Sequence, residues 1–501
     1  MAKVTENKTT VKEKEVKKAL AKEELTTKKV LIVTSEASPF IRSGGLGDVA
    51  GALPKELAAN GIDVRVVLPL YKDISSDLKH AMNFQGYFYV SLAWRYQYCG
   101  IFKYELDGVT YYFLDNEYYF NRGGLYGYYD DAERYAFFSK ATIDMLATVN
   151  FKPDIIHAND WHTALVPVYL DAMYRGYEFF RDIKTVFTIH NIQFQGKYGK
   201  EIIREVLGLP EDTIRLVEYE DCVNFMKGAI ECSNVVTTVS PTYAKEIFDP
   251  FFSYGLDKIL RERSFKVRGI VNGIDQNIFN PTTDKSLFRK YSINDVQEGK
   301  KANKDSLLKM LDLAPTNDAP LIGMVTRLTE QKGVDIVIYA MESILQKDVR
   351  LVILGQGDWK FENSLLALQE RYKSKLRVSI NFSGDLANKI YAASDLFLMP
   401  SKFEPCGLSQ LIAMRYGTVP IVRLVGGLKD TVPSYNPTTG EGLGFTFYDY
   451  NHLELLGAIN RALDIYYQKD KWDQLVNNNM KVDNSWKKSA KEYIDLYNSI
   501  S

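Results

Sequence analysis

Glu404, Arg327 and Lys332 carry the charges of this chain best set to do chemistry, each in a loop between an apolar run and a helix-like stretch. Arg327 and Lys332 bracket the turn Thr326-Arg-Leu-Thr-Glu-Gln-Lys-Gly. Two solvated bases would read the same way; facing a diphosphate, they would clamp a leaving group. Glycine-rich turns at helix starts leave backbone N–H groups open to anions, above all phosphate. Such turns recur as Arg42-Ser-Gly-Gly-Leu-Gly-Asp, Gly355-Gln-Gly-Asp, Cys406-Gly-Leu and Val425-Gly-Gly-Leu. Arg42 adds a cation at the entrance of the first, or is a surface arginine beside an ordinary helix-start turn. Glu404 is the odd member. A carboxylate beside an anion site is repelled unless it faces sugar hydroxyls or a developing cation. The plainer alternative is a loop acid favoured by a helix dipole. Polar residues also end three apolar runs: His162, His190 with Asn191, and Ser240. Any one alone is more often structural; several at one sheet edge favour a site.

These loops need strands and helices to hold them. Lys29-Val-Leu-Ile-Val-Thr is a buried-strand run, followed by a long loop and a helix over about 49–60 that stops at Gly61. Val64-Arg-Val-Val-Leu-Pro is the next strand, so the unit is βαβ. Residues 84–114 alternate apolar and polar around Gly100 and Asp107-Gly108 and predict a hairpin excursion. Strand-like runs end at His157, His190 and Ser240, with helices over 163–174 and 242–248. A second series begins after a polar connector at roughly 280–318: Leu321-Ile-Gly-Met-Val, Arg350-Leu-Val-Ile-Leu, Val378-Ser-Ile-Asn-Phe and Leu396-Phe-Leu-Met. Alternation of this kind predicts α/β architecture with two doubly wound domains and a cleft between them. The expected divisions are 1–28, 29–262, 263–478 and 479–501, the last a helix returning to the first domain.

Gly45-Leu-Gly-Asp-Val-Ala has the glycine pattern of a dinucleotide fingerprint, but the glycines lie several residues past the strand and the second strand ends without an acid. A nicotinamide enzyme is rejected on that ground. A net charge of −1 gives no case for nucleic acid or an anionic membrane. No apolar run reaches membrane-spanning length. The four cysteines form no CxxC pair and the five histidines no HExxH, so neither a disulfide framework nor a metal site is indicated. Residues 1–28, rich in Lys and Glu, lack an apolar core of the secretory kind and read as a disordered or loosely helical extension. The expectation is a cytoplasmic protein without cofactor.

At this point the chain resembles the bacterial glycogen/starch synthases from about Lys29 to Tyr497. The motifs are Gly44-Gly-Leu-Gly-Asp, His157-Ala-Asn-Asp-Trp-His, Thr188-Ile-His-Asn, Val239-Ser-Pro-Thr-Tyr-Ala, Val271-Asn-Gly-Ile-Asp, Thr326-Arg-Leu-Thr-Glu-Gln-Lys-Gly, Phe403-Glu-Pro-Cys-Gly-Leu and Gly426-Gly-Leu-Lys-Asp-Thr. Each is weak alone; their order and spacing together are specific. The resemblance implies the GT-B fold of two Rossmann-like domains. It implies glucose transfer from ADP-glucose to the non-reducing end of an α-1,4-glucan, with retention and without a metal. Arg327 and Lys332 match the family's diphosphate-binding pair, Glu404 the acid on the donor glucose, and His162 the histidine beside that sugar. Asp130 matches the acid of a tyrosine-rich loop, and Asp48 and Asn191 match polar positions in the cleft, near His190. Cys406, Gly407 and Leu408, and the turn of Gly426 and Gly427, are expected to supply backbone amides to sugar or phosphates, with Thr431 of the last motif among the substrate-binding residues.

Two positions depart from the pattern. Arg42 stands where the family usually has lysine, a planar fork in place of a point charge. Ile412 stands where many retaining enzymes of this fold carry a second glutamate, as is common in the glycogen synthase branch. Without an evident nucleophile and base, a front-face mechanism is the simplest expectation. The residues leave open a UDP-glucose enzyme of the same fold and a non-catalytic glucan-binding scaffold.

Overall fold

Val30, Leu31, Ile32 and Val33 point alternately to the two faces of a strand, yet all four are buried. Such a strand belongs inside a parallel sheet with helices on both sides. It lies there in the computed structural model, which describes residues 27–316 and 318–500. The extension expected over 1–28 lies, apart from Thr27 and Lys28, outside the described residues.

In chain order the first strands are β1 (Lys29–Val33), β2 (Asp63–Pro69), β3 (Asn83–Leu92), β4 (Arg95–Leu106), β5 (Val109–Asp115), β6 (Ile155–Asn159) and β7 (Lys184–Ile189). Then come the short β8 (Lys197–Tyr198), β9 (Glu218–Tyr219) and β10 (Cys222–Asn224), followed by β11 (Val235–Thr238) and β12 (Val267–Gly269). A nine-stranded sheet has the order β12-β11-β7-β6-β1-β2-β5-β4-β3; β8, β10 and β9 form a small sheet of their own. The large sheet is parallel from β12 to β5 and antiparallel through β4 and β3. The second domain is a parallel sheet of β13 (Leu321–Val325), β14 (Arg350–Leu354), β15 (Leu376–Ser379), β16 (Leu396–Met399), β17 (Val419–Arg423) and β18 (Phe445–Phe447). Its order is β15-β14-β13-β16-β17-β18. In each sheet the strand order reverses, at β1 in one and at β13 in the other. Neighbouring loops diverge there and leave a crevice at the carboxyl ends of the strands.

Several expected boundaries move. The first domain runs past residue 262: β12 pairs with β11, and Ile270 lies in the first core while Ile274 lies in the second. A three-residue strand is too short for its sequence to say which sheet it joins. Residues 84–114 do form the hairpin β3–β4, but it turns at Ala93-Trp94, and Gly100 lies within β4. β5 then pairs in parallel with β2, so it belongs to the main sheet and is no excursion. The first helix starts at Gly45, four residues earlier than expected, and ends at Ala59. The stretch 163–174 divides into a 3-10 turn, Trp161–Thr163, the α-helix Leu165–Tyr169 and the π-turn Leu170–Tyr174.

The chain leaves the first domain and comes back along the same line. The Ile274 N–H donates to the Asn484 carbonyl at 2.8 Å. The last helix, Trp486–Ser499, buries Trp486, Ala490, Tyr493 and Tyr497 in the first core. There the Tyr497 hydroxyl lies 2.7 Å from His157 Nδ1.

Candidate active site

Loops leaving β1, β6, β7, β13 and β16 meet between the domains around a cavity of about 710 Å³. The first domain contributes Ser43, Gly44, Gly45 and Leu46, then Trp161, His162, His190 and Asn191. The second contributes Arg327, Lys332, Glu404, Cys406, Gly407 and Leu408. Gly44 is the N-cap of the helix Gly45–Ala59 and has no side chain to offer the first-turn amides. Those amides sit in the cavity wall, where an anion can take them.

Glu404 is 5% exposed. Lys332 Nζ donates to both of its oxygens, at 2.9 and 2.7 Å, and the Ser401 hydroxyl adds a third bond at 3.0 Å. The cation after β13 and the acid after β16 are thus held together at the switch point of the second sheet. Arg327 is exposed at the same wall.

The facing histidines are held neutral. Burial pushes His190 down to about 3, and burial with the Arg134 charge carries His162 well below its ordinary value. His190 Nε2 lies 2.9 Å from Asn159 Oδ1. The amide of Asn159 donates to the carbonyls of Val33 and His157 at 3.1 and 3.2 Å, so its oxygen is the atom that faces His190. Nε2 of His190 therefore carries the proton, and Nδ1 is left as an acceptor. His162 is packed against Tyr126 (ring centroids 4.3 Å apart) and Trp161 (4.2 Å). Its Nδ1, like Oδ1 of Asn272 in the same wall, is buried with no hydrogen-bond partner among the described residues. Such atoms are costly unless a bound polar group meets them.

Between β6 and β7 stands Asp160, in the left-handed region with φ of 57°. Its Oδ1 accepts the His190 N–H at 2.8 Å and the Asn191 N–H at 3.4 Å. Burial raises it to about 7 against the pull of those two amides.

The family-model description "Starch synthase catalytic domain" matches residues 29–262, and "Glycosyl transferases group 1" matches 310–482. A glycogen synthase from Clostridium botulinum (strain Eklund 17B / Type B) is 53% identical over 476 residues, covering 94% of this chain and 99% of its own. The chain belongs to the glycogen synthase family. A glycogen synthase from Geobacillus thermodenitrificans (strain NG80-2) is 48% identical over 474 residues, 94% of this chain and 98% of its own. Among solved structures, the catalytic domain of Starch Synthase IV from Arabidopsis thaliana bound to ADP and acarbose has a TM-score of 0.88 at 34% identity, covering 95% of this chain and 99% of that one. Sucrose-phosphate synthase from Thermosynechococcus elongatus, 17% identical with a TM-score of 0.60, shares the fold. As a glycogen synthase family member the chain is a glycosyltransferase, and its two facing Rossmann-like domains are the GT-B fold.

Arg42, Asp48, Asp130, Ser240, Gly426, Gly427 and Thr431, singled out from this family member's sequence, stand outside the cavity wall. Arg42, on the loop, binds Asp48 in the first turn of the helix Gly45–Ala59 at 2.6 Å. Asp130 is taken by Arg122 in a two-pronged pair at 2.6 and 2.8 Å. Gly426 and Gly427 open the helix Gly426–Thr431, where their amides have protein partners. The Gly426 N–H donates to Glu246 Oε1 at 2.9 Å, and the Gly427 N–H to the Glu404 carbonyl at 3.1 Å. These glycines are a close-packing surface: a Cβ on Gly426 would collide with the Glu404 carbonyl, and one on Gly427 with the Cys406 backbone. Thr431 donates to the Gly427 carbonyl at 2.7 Å and receives the Gln410 amide at 3.1 Å. That amide also holds the carbonyls of Cys406 and Gly407. The motif thus buttresses the Glu404–Gly407 turn from behind. Ser240 does likewise, donating to the Pro405 carbonyl at 2.8 Å.

Glu36, Tyr126, Asp160 and Asn272 line the cavity of this family member and were missed as site residues. Asp160 and Asn272 lay inside quoted motifs, at polar strand ends like those that drew attention to His162. Glu36 and Tyr126 carry no local signal, since what joins them is a contact between residues 90 apart in the chain.

Proposed function

We propose that this protein transfers glucose from ADP-glucose to the non-reducing end of an α-1,4-glucan, with retention of configuration, in the cytoplasm. The observation that carries the proposal is the part-buried Lys332–Glu404 pair at 2.7 Å, which sets a cation and an acid side by side in a cavity that two neutral histidines also line. A nucleotide sugar needs that contrast: positive charge for the diphosphate and acceptors for the hydroxyls. Arg327 and Lys332 offset the charge that grows on departing ADP. Glu404 accepts from a donor hydroxyl and orients the ring. His190 Nδ1 and His162 Nδ1 are acceptor or donor sites for the remaining hydroxyls. The leaving phosphate takes the proton of the acceptor hydroxyl as the new bond forms on the same face, without a glucosyl-enzyme adduct. The mechanism invokes no cofactor, metal or nucleic acid. No helix among the described residues is long and apolar enough to cross a membrane.

The adenosine donor is favoured because a family relative is named as bound to ADP. A UDP-glucose enzyme is the second reading. Glucose incorporation into glycogen from ADP-glucose and UDP-glucose, measured side by side with Glu404→Ala as control, decides between them. Strong ADP-glucose transfer lost in the variant is the expected result. Preference for UDP-glucose overturns the donor, and transfer from neither overturns the reaction.

A further inference from the structure

We infer that Glu36 is a positioning residue for the transfer: it ties the first glycine loop to the tyrosine-rich loop and so fixes the Tyr126–His162 face of the cavity. The inference rests on the proposed glucosyl transfer. Glu36 follows β1, lines the cavity and is 4% exposed. One carboxylate serves two loops. Its Oε2 accepts the Ser43 N–H, and its Oε1 accepts the Ser43 hydroxyl at 3.1 Å. The same Oε1 accepts the Tyr126 hydroxyl at 3.1 Å, and the Ser35 hydroxyl stands 2.9 Å from that phenol oxygen. The Tyr126 ring then stacks on His162 with an interplanar angle of 28°.

Contact therefore runs unbroken from Ser43 through Glu36 and Tyr126 to His162. The tyrosine-rich loop needs such an anchor. Gly123, Gly124 and Gly127 surround Tyr126, with Gly124 and Gly127 at φ of 81° and 96°, and backbone this free does not hold a ring in one place. At its base Asp131 Oδ2 accepts the N–H of Gly127 and Tyr128, at 2.8 and 3.2 Å. The phenol end is held by Glu36. Every group that meets Glu36 donates, the Gly44 N–H included, and a carboxylate meets them with acceptors alone. A glutamine would turn an NH₂ toward one of them. A buried polar network of this kind is stiff when every member is satisfied and loose when one is not.

The test compares Glu36→Gln, Tyr126→Phe and the double variant. Tyr126→Phe keeps the ring and removes only the oxygen that Glu36 holds. Glu36→Gln is expected to lower kcat/KM with ADP-glucose about tenfold or more, the scale of a misplaced positioning group. Inhibition by ADP should change less than kcat/KM, because Arg327 and Lys332 sit on the other domain. The double variant should be no worse than Glu36→Gln, since the contact removed by Tyr126→Phe is already lost in Glu36→Gln. In histidine-labelled protein the ring resonances of His162 should shift in both single variants, while those of His80 and His452 stay. A double variant that multiplies the two losses would mean that Glu36 acts on substrate independently of Tyr126, and would overturn the inference. So would wild-type kinetics for Glu36→Gln with unmoved His162 resonances. If Glu36→Gln fails to fold, Tyr126→Phe reads the same contact, and an unmoved His162 there overturns it. A wild-type protein that transfers no glucose would instead sink the proposed function, and the His162 resonances would still decide the clamp.

Discussion

Three histidines, His157, His162 and His190, are kept neutral by burial, and the sign of the resulting pH dependence can be worked out. His157 and His190 are pushed down to about 3 in the folded protein from an ordinary 6.5. Above 6.5 neither the folded nor the unfolded chain holds a proton at these rings, and their full contribution is present. Between 6.5 and about 3 the unfolded chain binds protons that the folded chain refuses, so stability falls as pH falls. Asp160 acts in the opposite sense. It is raised to about 7 by burial, so its contribution is present at low pH and is lost as pH rises toward 7. His162 is shifted in the same sense as the other two rings, whereas burial raises Glu36, Asp115 and Glu246 in the sense of Asp160 but by less, so the rings dominate below 6.5. The thermal midpoint is therefore expected to drop steadily on acidification below about pH 6.5. A midpoint that holds flat to about pH 5, measured by calorimetry at constant ionic strength, would contradict this account of the histidines.

At the scale of elements, the helix Gly426–Thr431 works as a backstop for the turn that carries Glu404. Gly426 has φ of 46° and lies against the Glu404 carbonyl, so any side chain there pushes on the turn. Gly426→Ala is expected to lower kcat about a hundredfold through displacement of Glu404, with ADP inhibition less affected. Gly176→Ala is the control, because a Cβ at Gly176 meets nothing within 4 Å. Equal activity of the two variants would show that the backstop does not set the position of Glu404. The first domain supplies a matching contact. The helix Pro241–Glu246 binds the same element through Glu246 to Gly426 and through Thr242 to Asp430 at 2.8 and 2.6 Å. The turn is thereby pressed from behind by parts of both domains.

Across the whole molecule, the chain crosses between domains twice, side by side, and its last helix belongs to the first core although its sequence follows the second. A Cβ on Gly273 would meet the Ser485 carbonyl carbon at 2.6 Å, so the two crossings are in contact. Trp486, 3% exposed, begins the return. Trp486→Ala is expected to cost about 3 kcal/mol through the cavity it leaves. The loss should fall on the first domain: hydrogen exchange should speed up in β6 and β7 while β13 and β14 keep their protection. Faster exchange confined to the second domain would reverse the assignment.

The sequence alone determined what local chemistry can determine. Buried strands, glycine turns and polar strand ends are short-range signals, and each follows from hydrogen bonding and side-chain period within a few residues. That is why the two α/β domains, the loops after β6, β7, β13 and β16, and the family pattern were legible, with element ends wrong by a few residues. Tertiary structure decided which of the marked groups are available. The amides of Gly426 and Gly427 read as anion donors until Glu246 and the Glu404 carbonyl are seen to occupy them. Arg42 and Asp130 read as unpaired charges until Asp48 and Arg122 are seen to pair with them. β12 read as the start of the second domain because three residues do not reveal their sheet partner. Glu36 and Tyr126 were silent, since a carboxylate becomes a clamp only when folding brings a distant hydroxyl to it. Residue type sets what a group can do, and the partners that neutralise or expose it come from parts of the chain that no local pattern connects.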